Sequence, residues 1–355
     1  MIYLDANASE PLHPAAHAAM MAALDVTGNP ASIHAAGRAA RHLLEAARDA
    51  VAQRFAVAAP SVVFTSGGTE ANALAVRALG QGRRLVVGAT EHDAVRACTP
   101  GAEILPVDRH GVARLDVLAE LLRGPPALVC LMLANNETGT LQPIAAVSAL
   151  CRAAGALLHV DAAQAPGRMA VDMAALGADS MAISAHKMGG PQGAGALLAA
   201  PSAPMPPGPQ GGGQERGWRG GTPGLAAIAG FAAAAALPPT DLSALRHAVE
   251  HAAEGAIVIG AGAPRLANTT CLALPGVAAQ LQVMTLDLAG LAVSAGAACS
   301  SGRIARSHVL DAMGLGELSG QAIRVSLPWN AEPADVAAFG AAYRAMAARL
   351  GRTAA

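Results

Sequence analysis

Lys187 stands in Ser184-Ala185-His186-Lys187-Met188-Gly189-Gly190-Pro191, 26 residues (187 minus 161) beyond the aspartate of His159-Val160-Asp161-Ala162-Ala163-Gln164. An amine before a glycine-rich turn, a carboxylate closing an apolar run, and hydroxyl and imidazole donors beside the amine make a set with a definite use. The amine can hold an aldehyde as a Schiff base, the carboxylate can keep a pyridine nitrogen protonated, and the donors can take a phosphate. The set points to pyridoxal 5'-phosphate.

Each residue also has a plainer reading. Most lysines are solvated surface residues, but Lys187 sits between a buried-looking strand and a tight turn. Desolvation there would lower its pKa and favour the neutral nucleophile. Ser184 and His186 could bind phosphate from the same turn. Asp161 could simply cap the helix that follows; beside a pyridine nitrogen it would stabilise the protonated ring, and Gln164 could donate to the ring's phenolic oxygen. In Phe64-Thr65-Ser66-Gly67-Gly68-Thr69-Glu70, two glycines precede a helix, which makes either a tight turn or a cup where backbone amides meet an anion. His92 is a helix-start histidine or half of a metal site with no second half. His13 and His17 have the spacing of a helical metal pair but lack a third ligand, so no metal is expected. Cys299, among small residues in Ser294-Ala295-Gly296-Ala297-Ala298-Cys299-Ser300-Ser301-Gly302, has the setting of an exposed thiolate that could attack sulfur. Cys130, Cys151 and Cys271 lie in apolar runs as small buried hydrophobes, and Cys98 gives no clear signal.

The elements that must hold these groups follow an α/β rhythm. Helical spacing of Ala40, Leu43, Leu44, Ala47 and Val51 predicts a long helix from about residue 35, with Arg41, Glu45, Arg48 and Asp49 on other faces. Short apolar runs then alternate with helical or loop segments: 62–64, 85–87, 128–133, 157–160, 181–183 and 196–199. That is the pattern of a largely parallel sheet with crossover helices, whose ligands gather beyond the carboxyl ends of the strands. The low-complexity stretch 201–213 is read as a loop leading to Gly211-Gly212-Gly213-Gln214-Glu215-Arg216. Leu237-Pro238-Pro239-Thr240-Asp241 is the better lobe boundary, with the first few residues joining the second lobe.

Composition narrows the class. Basic residues number 24 and acidic residues 25, which leaves no electrostatic footprint for nucleic acid or an anionic membrane. Apolar stretches are broken by Gly, Pro or charge before reaching the length of a membrane span. The start lacks the pattern of a signal peptide, and 5 cysteines without a Cys-x-x-Cys argue for reduced thiols. A cytoplasmic protein acting on a small molecule is expected.

Taken in order, Tyr3-Leu4-Asp5, Gly28 to His34, Gly67-Gly68-Thr69, Glu91-His92, Asn135 to Gly139, His159 to Gln164, His186-Lys187, Gly211 to Arg216, Cys299 and Ala322 to Ser326 resemble the class V aminotransferase superfamily. Within it, they resemble the cysteine desulfurases of the iron-sulfur assembly type. The likeness runs roughly to residue 327. It implies a fold-type I pyridoxal-phosphate-dependent transferase: a mostly parallel seven-stranded sheet flanked by helices, and a smaller α/β C-terminal domain. Residues 12–243 would form the large cofactor-binding domain, and 1–11 with 244–355 the small domain carrying a long, mobile cysteine loop.

The resemblance also implies roles. Lys187 would carry the cofactor and move the α-proton, His92 would stack on its ring and help move protons as a further catalytic residue, and Asp161 and Gln164 would hold its nitrogen and phenolic oxygen. Gly68, Thr69, Ser184 and His186 would surround the phosphate, and Thr222 would reach the phosphate of a neighbouring subunit in a homodimer. Asn136 and Arg324 would bind L-cysteine, Arg324 by a bidentate grip on its carboxylate. Cys299 would take the sulfur as a persulfide, leaving alanine, and pass it to an acceptor protein. The chain departs from the family pattern at Ala8-Ser9-Glu10, at Leu327-Pro328-Trp329-Asn330, and in lacking the long tail that members use to dock a scaffold protein, so the acceptor stays open. The alternatives are a selenocysteine lyase or another lyase or aminotransferase of the superfamily, for which Cys299 would be incidental, and a catalytically idle scaffold homologue.

Overall fold

The computed structural model describes residues 1–203, 211–296 and 306–351. Its strands are β1 (Ile2–Tyr3), β2 (Val62–Thr65), β3 (Arg84–Gly88), β4 (Glu103–Leu105), β5 (Ala127–Met132), β6 (Leu157–Asp161), β7 (Ser180–Ser184), β8 (Gly195–Ala199), β9 (Ile257–Ile259), β10 (Thr269–Ala273), β11 (Leu291–Ala292) and β12 (Ala322–Ser326). The expected seven-stranded, mostly parallel sheet is present, in the order β2-β8-β7-β6-β5-β3-β4. Only β8 runs against its neighbours. The carboxyl ends of the other six therefore share one edge.

The inner strands β5, β7 and β8 are buried from end to end, as strands covered on both faces must be. Every residue of β5 and β7 is buried. Helices cover the sheet, including Ala35–Arg54, Gly68–Leu79 and Ile144–Ala153. The first of these is capped by the His34 ring, which accepts from the Gly37 N–H at 3.2 Å, and it buries Ala40, Leu44, Ala47 and Val51 as its periodicity requires. One assignment on this helix is corrected. Arg48, placed on an outer face, is buried, because Glu215 answers it with two hydrogen bonds of 2.8 and 2.9 Å. Glu215 also accepts from the Phe64 N–H at 2.8 Å, so the segment after residue 211 is tied to β2. A bidentate buried pair with its remaining groups satisfied is the arrangement that offsets the desolvation of both charges.

A second hydrophobic cluster gathers Leu4, Leu242, Val249, Leu272, Leu286, Ile323, Val325, Phe339 and Tyr343. It is built on the antiparallel strands β12-β10-β9 and on helices Ser243–Ala252, Ala279–Leu288 and Pro333–Gly351. β1 pairs with β11, and Asp5 bridges to Ser326. The chain's first residues are thereby fastened to β12 before residues 5–11, a strap, pass towards the carboxyl edge of the large sheet. No helix among the described residues is long and apolar enough to cross a membrane.

Candidate active site

A cavity of about 480 Å³ opens at the carboxyl edge of the large sheet. It is lined by nine of the residues picked out by sequence: Gly68, Thr69, His92, Asn136, Asp161, Gln164, Ser184, His186 and Lys187. Strand register explains the meeting. Asp161 ends β6 opposite Met132 of β5 and Ala182 of β7, and Ser184 ends β7.

Asp161 is buried and held from the sheet side. One carboxylate oxygen accepts from the Ala163 N–H at 2.9 Å and the other from Asn72 Nδ2 at 2.8 Å. Asn72 must then present its oxygen to His159, whose Nε2 lies 2.8 Å away and donates. His159 Nδ1, left as the acceptor, takes the Ser180 hydroxyl at 2.7 Å. Burial lowers the His159 pKa to about 4, so the ring stays neutral in this relay. Sequence reading passed over Asn72 and His159. The latter carried a signal, being a polar residue inside a fully apolar strand.

A second carboxyl lies nearby in a different state. Glu91 is fully buried; one oxygen accepts from the Met132 N–H at 2.6 Å, and the other finds no partner among the described residues. Burial, reinforced by the charge of Asp161, pushes its pKa well up. The two carboxyls differ in setting: Asp161 lines the cavity, whereas Glu91 is buried behind it with one oxygen unpaired among the described residues.

The cup after β2 is shaped by glycine. Helix Gly68–Leu79 begins without a side-chain cap, so its first amides are free for an anion. A Cβ at Gly195 of β8 would stand 2.7 Å from the Gly67 Cα, so only glycine lets the turn lie on the strand. Glu70 braces the turn, accepting from the N–H and hydroxyl of Ser66 at 2.6 Å each and from Arg219 Nε at 3.0 Å.

Across the cavity, the Lys187 amine donates to the carbonyls of Asn7 at 2.6 Å and Ala8 at 3.0 Å. Burial, with Arg324 and Arg168 adding like charge, lowers its pKa to about 8. His186 Nδ1 lies 3.3 Å from the Ser9 hydroxyl, and burial, followed by the charges of Lys187 and Arg168, takes its pKa to about 4. Gln164 Nε2 donates to the Asn7 carbonyl at 3.0 Å. His92 is the helix-start histidine of its sequence reading, and it also faces the site. Its Nδ1 caps the helix Asp93–Arg96 by accepting from Ala94 at 3.1 Å, which leaves Nε2 to carry the proton, and the residue lines the cavity.

Three sequence candidates lie apart. Arg324 is outside the cavity lining; its guanidinium donates to Asp5 at 2.5 Å and to the Asn136 carbonyl at 3.0 Å, while Nε has no partner among the described residues. Thr222 lines a separate hollow with Ser66, Gly193 and Arg219. Cys299 lies outside the described residues.

A sequence model of the family described as aminotransferase class-V matches residues 2–339. The chain belongs to the class-V aminotransferases. Among relatives in this family, a cysteine desulfurase of Cereibacter sphaeroides is 40% identical over 88% of this chain and 86% of its own length. An IscS-like cysteine desulfurase of Mycobacterium tuberculosis is 37% identical over 99% and 98%. Of solved structures, a NifS-like protein from Rickettsia africae superposes with a TM-score of 0.91 at 32% identity, covering 98% of this chain and 99% of that one. SspA in complex with cysteine superposes at 0.82, with 27% identity and coverage of 92% and 99%.

Class-V aminotransferases are pyridoxal-phosphate enzymes, and the residues present fit that group. Amine, carboxylate, hydroxyls and a capless helix start converge on one cavity. Composition carries a further signal that motif reading passed over. Lys187 is the only lysine in the 355-residue chain, every other member of the 24 lysines and arginines being arginine. The chain's single lysine thus lines the cavity at the carboxyl edge of the sheet.

Proposed function

We propose that this chain is a pyridoxal-phosphate-dependent cysteine desulfurase that converts L-cysteine to L-alanine and holds the sulfur as a persulfide on Cys299. The observation that carries the cofactor assignment is the placement of the sole lysine, with a depressed pKa, across one cavity from a buried and fully hydrogen-bonded aspartate. The likeness to cysteine desulfurases along the chain supports the substrate.

When bound, the cofactor supplies an electron sink for a carbanion at the substrate's α-carbon. Lys187 would hold the aldehyde and, as a free amine, would take the α-proton; an amine near pKa 8 is neutral often enough to do so at neutral pH. Asp161 would keep the ring nitrogen protonated, and its relay through Asn72 and His159 fixes its position. His92 would stack on the ring, Gln164 would donate to its phenolic oxygen, and Gly68, Thr69, Ser184 and His186 would take the phosphate. Arg324 and Asn136 bind the substrate carboxylate. The Cys299 thiolate attacks the substrate sulfur, an S–S bond forms as the Cβ–S bond breaks, and the carbon skeleton leaves as alanine after reprotonation. One sulfur atom is transferred and no outside oxidant is needed.

The same reading includes a cytoplasmic homodimer in which Thr222 serves the neighbouring subunit's phosphate, and an acceptor protein that collects the sulfur. It divides the chain into a large domain, 12–243, and a small one formed by 1–11 and 244–355; the burial of Leu4 in the second cluster supports the division. The test is to supply L-cysteine with excess dithiothreitol, which reduces the persulfide and releases its outer sulfur as sulfide, to quantify alanine and sulfide, and, in a parallel reaction without reductant, to locate the trapped persulfide by mass spectrometry. Alanine and sulfide in equal amounts with the label on Cys299 are expected. Full sulfide release by Cys299→Ser would overturn the assignment.

A further inference from the structure

The two segments where the chain departs from its family pattern touch each other. One Glu10 oxygen accepts from the Trp329 N–H at 2.7 Å, and the other pairs with Arg168 Nη2 at 3.1 Å. Trp329 returns the contact through its indole N–H, which donates to the Pro11 carbonyl at 3.0 Å, and its ring lies 4.5 Å from that of His13. Both members of the ion pair are buried, with side chains 4% and 6% exposed.

Arg168 connects this knot to the cavity. Its Nη2 also donates to the Ala6 carbonyl at 3.1 Å, and its Nη1 donates to the Gln164 carbonyl at 2.8 Å and to Gln164 Oε1 at 2.5 Å. Gln164 then donates to the Asn7 carbonyl that also accepts the Lys187 amine. At the strap's other end, Asp5 takes Arg324 and the Ser294 hydroxyl. Within this seven-residue strap, Asp5, Asn7 and Ala8 thus touch the groups proposed for the cofactor aldehyde, its phenolic oxygen and the substrate carboxylate. A cavity of about 280 Å³, bordered by Glu10, Arg168, Trp329 and Leu327, lies beside the knot and leaves the strap room to shift if it is released.

We propose that Glu10 is a positioning residue: with Arg168 and Trp329 it anchors the 5–11 strap, which sets where the Lys187 amine and the Arg324 guanidinium are held. The inference rests on the desulfurase reading for what those groups do, and on the geometry alone for the anchoring. Neutralising Glu10 leaves Arg168 buried with an uncompensated charge, and the strap carbonyls then part from the amine.

The sole lysine makes the test direct. Full-length protein freed of cofactor is treated with an amine-specific reagent, and modification of Lys187 is followed by mass spectrometry alongside kcat and KM for cysteine in the cofactor-loaded enzyme. Glu10→Gln should label Lys187 about threefold or more faster and raise KM about tenfold, a larger change than in kcat. Trp329→Phe, which keeps the backbone donor but loses the bond to Pro11, should move both in the same direction by less, and it decides the matter if Glu10→Gln does not fold. Glu250→Gln, which breaks a pair with Arg265 at 2.7 Å away from the cavity, should lower stability without changing Lys187 labelling. Wild-type labelling and KM in folded Glu10→Gln, or in Trp329→Phe where that variant decides, would overturn the anchor and leave the desulfurase reading intact. Absence of cysteine turnover in the wild type would overturn that reading and leave the labelling comparison standing.

Discussion

Asp161 and Lys187 both line one cavity, and their partners differ in kind. On the sheet side, Asp161, Asn72, His159 and Ser180 satisfy one another within a buried array whose donors and acceptors have a single consistent assignment. On the strap side, Lys187 and Arg324 are held by groups that ligands must replace: two backbone carbonyls for the amine, and Asp5 with the Asn136 carbonyl for the guanidinium. The first wall is preorganised, so binding need not rearrange it. The second is exchangeable, which suits the roles proposed for Lys187 as the amine that holds the aldehyde and for Arg324 as the ligand of the substrate carboxylate.

The sharpest way to break this division is at the amine. Lys187→Ala should lower turnover by about 10²–10⁴-fold, the range for losing a group that transfers a proton in the rate-limiting chemistry. It should also abolish fixation of the cofactor by borohydride, because the chain has no other lysine to take its place. Fixation retained in the variant would remove Lys187 from the site.

Arg324→Lys comes next. A lysine keeps the charge but loses the planar fork, and a charge-assisted hydrogen bond contributes about 1.5–3 kcal/mol, so KM for cysteine should rise about 10- to 100-fold. Because Arg324 stands outside the cavity lining, the cofactor's visible absorbance should not change. A shifted spectrum with unchanged KM would mean that the two walls are not separable at this residue.

On the sheet wall, Asn72→Ala orphans one Asp161 oxygen and the His159 Nε2 proton. Each buried orphan costs about 1–3 kcal/mol, read as a lower denaturation midpoint, and cofactor affinity should fall about tenfold by titration. Replacement without effect on either quantity would show the relay to be incidental.

How much of this could be read from sequence follows the reach of each contact. Asp161, Ser184, Lys187 and the Gly67-Gly68 cup were legible because each follows an apolar run, and a mostly parallel sheet gathers such positions at one edge. The rhythm of those runs sufficed for the large sheet. It did not reveal that Arg48 faces inward, since the helical pattern is blind to a carboxylate 167 residues away that can receive it. Glu10, Arg168 and Trp329 were hidden for the same reason: their pairings span 158 and 319 residues. Glu10 and Trp329 registered only as departures from the family pattern, with no indication that they meet. The lysine count needed no structure at all.

The smallest effect tests the contrast by titration. His159 on the sheet wall stays neutral until pH falls towards about 4, so that wall keeps its bonding through the neutral range. Lys187 on the strap wall, lowered from 10.5 to about 8, titrates within reach of neutral pH. A pKa of 8 makes about 9% of the amine neutral at pH 7 and about half at pH 8. Capture of added pyridoxal phosphate by cofactor-free protein should therefore quicken about fivefold between those values and level off above about pH 9. The linked stability has a definite sign. The folded chain binds fewer protons at Lys187 than the unfolded chain between about pH 8 and 10.5, so the contribution of this group to stability increases as pH rises through that window. A capture rate still climbing tenfold per unit beyond pH 9 would mean an ordinary, solvated lysine, and the strap wall would lose the property that distinguishes it from the sheet.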